Sequence, residues 1–117
     1  MRIVSLFPVF PTKCLEECRQ FYQNLGFQIS YEDDFFLHLS WRENPLLQIG
    51  FKKAQTVRPS NHGILALEVE DVDAVYALLK DKGMRIEQEL EDLPWQHRQF
   101  SIRAPDGQSV EVFTQTE

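Results

Sequence analysis

The stretches Phe21-Tyr22-Gln23-Asn24-Leu25-Gly26-Phe27-Gln28-Ile29 and Leu78-Leu79-Lys80-Asp81-Lys82-Gly83-Met84-Arg85-Ile86 decide how this chain folds. Each reads as the end of a helix, a glycine that stops it, and the first residues of a strand. Gly26 and Gly83 stand 57 residues apart, and so do Ile29 and Ile86. Glycine past a helix C-terminus adopts the left-handed conformation at no Cβ cost. The same stop at the same spacing marks a duplicated module.

Working outward from the first glycine, Leu15, Cys18, Phe21, Tyr22 and Leu25 form the apolar stripe of a helix reaching about Asn24. Thr12 is its expected N-cap, with Glu16 and Glu17 in the first turns, where the helix dipole favours carboxylates. Before it, Arg2 to Val9 alternates as a strand. After it, Phe27 to Tyr31 is a strand, and Glu32-Asp33-Asp34 turns into a second one from Phe35 to Trp41. Arg42 to Pro45 turns again, into Leu46 to Phe51. Module one therefore spans about residues 1–52, and 53–61, with Arg58-Pro59-Ser60, has the composition of a linker.

Module two, about 62–117, repeats the order. Gly63 to Val69 is an apolar strand, and Asp71-Val72-Asp73 opens a helix through Lys82 with the stripe Val72, Val75, Tyr76 and Leu79. Strands follow at Met84 to Leu90, Arg98 to Arg103 and Ser109 to Phe113, separated by Glu91 to Gln96 and by Ala104-Pro105-Asp106-Gly107. Phe7 and Ile64 match at the same spacing of 57, whereas Gln48 and Glu111 are 63 apart. About six extra residues thus enter the second half, and they are expected in or near Asp92-Leu93-Pro94-Trp95. Each half reads β-α-β-β-β, and neither is large enough to bury much core alone.

Composition narrows the function. With 117 residues the chain is one domain's worth, and 43% apolar with 26% charged residues is an ordinary globular profile. A net charge of −6 repels polyanions, so nucleic acid is not an expected partner. No apolar run approaches the ~20 residues that span a bilayer, so no membrane role is expected either. The start, MRIVSLFPVF, has one basic residue, an apolar stretch broken by proline and no small-residue cleavage site. A cytoplasmic location is the expectation, with Cys14 and Cys18 as reduced, part-buried thiols. No nucleophile triad and no glycine-rich phosphate cradle is legible.

The residues Phe21-Tyr22…Leu25-Gly26-Phe27, Leu67-Glu68-Val69-Glu70-Asp71-Val72-Asp73-Ala74, Leu93-Pro94-Trp95-Gln96-His97-Arg98 and Ala104-Pro105-Asp106-Gly107 resemble signatures of the vicinal oxygen chelate superfamily. That group includes glyoxalase I, extradiol dioxygenases and bleomycin-resistance proteins. Tyr31 to Leu39 is similar to a hairpin of its bacterial glyoxalase-like branch. The resemblance implies an α+β fold of two tandem β-α-β-β-β modules, with curved mixed sheets forming a cup-shaped cavity. It also implies a homodimer in which facing modules cover the cup.

In the family's metal enzymes, the first strand of each half offers a His or Gln and the last strand a Glu. Carried over by the repeat spacing, those positions are Phe7, Gln48, Ile64 and Glu111. Two are hydrocarbon and one is a neutral amide, whereas a zinc or iron centre needs three or four N, O or S donors. No metal and no cofactor is therefore expected. A shifted set of His62, Gln48 and Glu111 is the fallback if a metal binds.

The same positions line a candidate ligand site. Glu111 either meets a cationic ligand or hydrogen-bonds to Gln48. Trp95 either stacks a flat ligand or clamps its loop onto the sheet. His38 is a pocket residue or an ordinary strand histidine. Arg98 holds an anionic group or, as the favoured reading, pairs with Glu91 or Asp92. The expected ligand-binding set is Phe7, His38, Gln48, Ile64, Trp95, Arg98 and Glu111, with no catalytic residue. The leading expectation is a non-catalytic binder of a small flat or cationic molecule, resembling bleomycin-resistance proteins. A metal-dependent lyase, isomerase or dioxygenase is the alternative, and a scaffold protein without small ligand is the second.

Overall fold

The computed structural model describes residues 1–57 and 63–116. Two compact units, Met1–Arg58 and Pro59–Glu117, divide the chain. The first holds β1 (Val9–Thr12), α1 (Leu15–Leu25), β2 (Phe27–Glu32), β3 (Phe36–Trp41) and β4 (Gln48–Lys53). The second holds β5 (Ile64–Glu68), α2 (Val72–Asp81), β6 (Ile86–Leu93), β7 (His97–Arg103) and β8 (Ser109–Gln115). Their sheets run β1-β4-β3-β2 and β5-β8-β7-β6. In each, the first and last strands of the module are parallel and the other neighbours antiparallel. This is an α+β fold of two β-α-β-β-β modules.

One helix covers one face of each sheet, and the alternation of side chains decides which residues it buries. In the first unit Leu37, Leu39, Ile49 and Phe51 are buried together with Cys18 and Tyr22 of α1. The Tyr22 ring lies 4.9 Å from Phe51 and meets Phe27 edge-on. In the second unit Phe100, Ile102, Val110 and Val112 are buried with Val72 and Leu79 of α2. Tyr76 meets Phe100 edge-on at 5.2 Å. Gly26 has φ 119°, and Trp41 Cη2 stands 2.8 Å from where a Cβ would sit, so both backbone and packing require glycine there. That contact, with the Trp41–Phe27 edge-on pair, gives Trp41 a structural role.

The first strand is shorter and later than the alternation of Arg2 to Val9 predicts. The Pro8 carbonyl accepts from Gly50 N–H at 2.8 Å, but Pro8 has no N–H to return, so the parallel ladder begins only at Val9. Pro11 is tolerated because β1 is an edge strand. Thr12 is not the helix cap; it is fully buried in β1, and Cys14 takes that place. The Thr12 hydroxyl accepts from Cys14 N–H at 3.1 Å and lies 3.5 Å from the Sγ atoms of both Cys14 and Cys18, which are free thiols. Asp71 does cap α2, accepting from Ala74 N–H at 3.1 Å.

The extra residues of the second unit are not gathered near Asp92 to Trp95. Aligned by strand pairing, the offset grows from 57 at Gly83 to 59 at Ile86, 61 at Ser101 and 63 at Glu111. Two residues enter before β6, two in the β6–β7 hairpin and two between β7 and β8. Register shifts between Ile86, Gln88 and Glu91 show bulges taking up residues within β6 itself. β6 therefore runs to Leu93, and only Pro94, Trp95 and left-handed Gln96 (φ 64°) make the turn. No helix among the described residues is long and apolar enough to cross a membrane.

Phe51 lies under α1 at the centre of the first unit. Phe51→Ala is expected to cost about 3–5 kcal/mol, most of a small domain's stability, measured by urea unfolding.

Candidate functional site

Each sheet has a second face, turned away from its helix. In the first unit this face carries Phe36, His38 and Ser40 of β3 and Gln48 and Gly50 of β4. His38 Nε2 and the Gln48 side-chain amide are hydrogen-bonded at 2.8 Å. Phe7 stacks on His38 with ring centroids 4.6 Å apart. Gly50 makes room for this: a Cβ there would stand 3.0 Å from Phe36 Cζ and 3.4 Å from Phe7 Cε2. Ser40 closes the row, its hydroxyl 2.6 Å from that of Ser30. Phe7, His38 and Gln48 are thus brought into one cluster.

In the second unit the corresponding face carries Gln99 and Ser101 of β7 and Glu111 and Phe113 of β8. Glu111 is half-buried and lies between Ser101 on one side and Ala66 on the other. His97 stacks flat on Phe113, centroids 4.2 Å apart and planes 13° apart. The Ser101 side chain is 1% exposed, and among the described residues its Oγ has no hydrogen-bond partner.

The other expected site residues fall elsewhere. Ile64 is exposed and pairs with Ser109, so Ala66, not Ile64, is the β5 residue beside Glu111. The residue-count mapping missed this because the offset between β1 and β5 is 59, as the pairs Val9–Gly50 and Glu68–Phe113 show. Trp95 projects from the β6–β7 turn at 62% exposed. Arg98 lies on the helix side, paired with Asp73 at 3.0 Å and Asp92 at 3.3 Å. Its hydrogen bonds hold the Asp73 carboxyl below the ordinary carboxylate range. His62 lies outside the described residues. Two concavities, about 330 Å³ beside the first turn of α1 and about 360 Å³ lined by Arg85, Ile86, Glu87, Arg103 and Ala104, contain none of the expected site residues. The open faces are walls of single sheets and do not enclose a cavity by themselves.

A metal does not fit the positions that the sequence points to. Phe7, Ile64 and Ala66 are hydrocarbon, and Gln48 is a neutral amide hydrogen-bonded to His38. Among the described residues no group of three or more His, Cys, Asp or Glu side chains could hold an ion.

Ser101, Phe113 and Ala66 were not among the residues expected from sequence. Serine, phenylalanine and alanine carry no motif. The available signal was parity, since Ser101 and Phe113 occupy the off-helix positions of strands already read as Arg98 to Arg103 and Ser109 to Phe113.

The family model described as the Glyoxalase/Bleomycin resistance protein/Dioxygenase superfamily matches residues 6–112. Among solved structures, a glyoxalase/bleomycin resistance protein/dioxygenase from Nocardioides is similar at TM-score 0.82 and 21% identity, over 100% of this chain and 86% of that one. A bleomycin-binding protein complexed with bleomycin is similar at TM-score 0.78 and 22% identity, over 98% of this chain and 100% of that one. A glyoxalase/bleomycin resistance protein/dioxygenase from Alicyclobacillus acidocaldarius is similar at TM-score 0.78 and 18% identity, over 100% and 96%. At these identities the likeness is one of fold. A comparison with curated proteins finds no match.

An unpartnered buried hydroxyl costs roughly 1–3 kcal/mol. Ser101→Ala is therefore expected to stabilise the chain by about 1 kcal/mol in urea unfolding, whereas Ser40→Ala, which strips Ser30 of its partner, destabilises it.

Proposed function

The chain belongs to the glyoxalase/bleomycin resistance protein/dioxygenase superfamily, and on that footing we propose that it is a non-catalytic binding protein for a small flat or cationic organic molecule. The observation that carries the reading is the character of the open sheet faces. Where metal enzymes need several free donors, these faces present ring stacks, Phe7 on His38 and His97 on Phe113, beside a few hydrogen-bonding side chains. Apolar and aromatic surface with sparse polar groups is the composition of a small-molecule site. Rings that already stack on one another offer a flat ligand a ready face. Glu111 and the overall charge of −6 favour cations over anions. The similarity in fold to a protein that holds bleomycin supports a binder, without carrying that ligand over to this chain.

The working form is a homodimer. Ile3, Val4 and Leu6 are 71%, 78% and 85% exposed, an apolar run ahead of an edge strand that water alone covers poorly. Light scattering after gel filtration is expected to read about twice 13.8 kDa. A single-chain mass at micromolar concentration removes that part of the reading.

The binding claim is tested by thermal shift with bleomycin, planar aromatic cations and their neutral analogues. A ligand present at 100 times its dissociation constant adds about 2.7 kcal/mol, a shift of several degrees for a chain of this size. At least one flat or cationic compound is expected to produce such a shift, and Phe7→Ala or Phe113→Ala to diminish it. If no organic compound shifts the transition at any concentration, the reading fails.

A further inference from the structure

Cys14 and Cys18 meet at the start of α1. Both Sγ atoms lie 3.5 Å from the Thr12 hydroxyl oxygen, so the two sulfurs are at most twice that distance apart. The backbone has already closed the turn that joins them, for Cys18 N–H donates to the Cys14 carbonyl at 3.1 Å. Cα atoms four residues apart on a helical turn are about 6 Å apart, within the span of about 4.4–6.8 Å that a disulfide bridges. Both residues are thiols, and they are the only two cysteines of the chain.

The two differ in access. Cys18 is fully buried, whereas Cys14 is part-exposed and lines the concavity of about 330 Å³ beside the first turn of α1. A small reagent meets Cys14 and not Cys18, and Cys18 needs only to meet Cys14. That division of access is the one a stepwise thiol–disulfide exchange uses. The lining of the concavity says which reagent suits it. Lys13, Arg19 and Lys53 are outnumbered there by five carboxylates, and Arg19 is already paired with Glu16 and Glu32. Anionic molecules are repelled from such a hollow and cationic ones are drawn in.

We propose that Cys14 and Cys18 form an exchange site for small organic disulfides of neutral or positive charge, with Cys14 attacking and Cys18 resolving. The site is independent of ligand binding at the open sheet faces. Cys14 loses its proton to water, and its thiolate attacks one sulfur of the disulfide. The S–S bond of the reagent breaks, one small thiolate leaves and is protonated by water, and Cys14 is left in a mixed disulfide. Cys18 then attacks Cys14 Sγ, its proton passing to the second departing thiolate, and the Cys14–Cys18 bond forms. The organic disulfide is reduced by two electrons to two thiols, and the protein dithiol is oxidised by the same two.

The test exposes the full-length reduced protein, without oxygen, to cystamine (cationic), bis(2-hydroxyethyl) disulfide (neutral) and 3,3′-dithiodipropionate (anionic), and reads intact mass and released thiol. The expected product is a monomer lighter by two hydrogens, with two small thiols released per chain and no lasting adduct. Cystamine is expected to react about tenfold faster than the dianion at low salt, the gap closing as salt is added. Cys18→Ala is expected to stop at the mixed disulfide, and native Cys14→Ser to stay unmodified although it reacts once unfolded in urea. A wild-type product that keeps the small thiol, or that is a covalent dimer, overturns the pairing, and so does native Cys14→Ser reacting as fast as the wild type. The dianion reacting as fast as cystamine overturns the charge preference. A native chain that none of the three modifies, but that reacts in urea, overturns the site. Should Cys18→Ala fail to fold, the wild-type mass and thiol count decide by themselves, because the chain has no third cysteine.

Discussion

A four-stranded sheet has two faces, and each module of this chain supplies one helix. That imbalance is the constraint on which the rest of the structure depends. The helix-side face is settled by the hydrophobic effect: α1 over Leu37, Leu39, Ile49 and Phe51, α2 over Phe100, Ile102, Val110 and Val112. The alternating residues then point away from any helix of their own module. They are neither fully apolar nor fully charged, and a face of that kind is suited to meeting something else.

What the two open faces carry shows how a duplicated plan diverges. In the first unit the polar groups satisfy one another, His38 with Gln48 and Ser40 with Ser30, and Phe7 closes over Gly50. In the second unit the equivalent places hold Ser101 and Glu111, with neither an internal hydrogen bond to the serine nor a described cation beside the carboxylate. The first face is internally complete and the second is not. Stability is lower than it could be at Ser101, where a buried hydroxyl lacks a partner among the described residues.

Most of the fold was legible because its signals are local and repeated. The glycine stops at Gly26 and Gly83, the opening of α2 at Asp71-Val72-Asp73 and the helix stripes are all where the spacing puts them. What could not be read was strand register. Counting residues gave an offset of 57 at the first strands and 63 at the last, but strand pairing puts the first strands 59 apart, so Ala66 stands where Ile64 was expected. Pro8 ended a ladder that alternation alone would have run to Arg2. For the site, Phe7, His38 and Gln48 converge, while Arg98 turned to the helix side because Asp73 and Asp92 wait there. Ser101 was invisible in sequence, because an unpaired hydroxyl is a property of its neighbours, which only the register reveals.

The central claim is that the positions a metal enzyme of this family fills with ligands here hold Phe7, Gln48, Ala66 and Glu111, of which only Glu111 is a strong metal donor. Elemental analysis of protein purified without chelator, followed by titration with Ni²⁺, Zn²⁺, Mn²⁺ and Fe²⁺, tests it most directly. The account predicts well under one ion per chain and no rise in Tm with any of the four. One tightly held ion per chain, lost in Glu111→Gln, would contradict it.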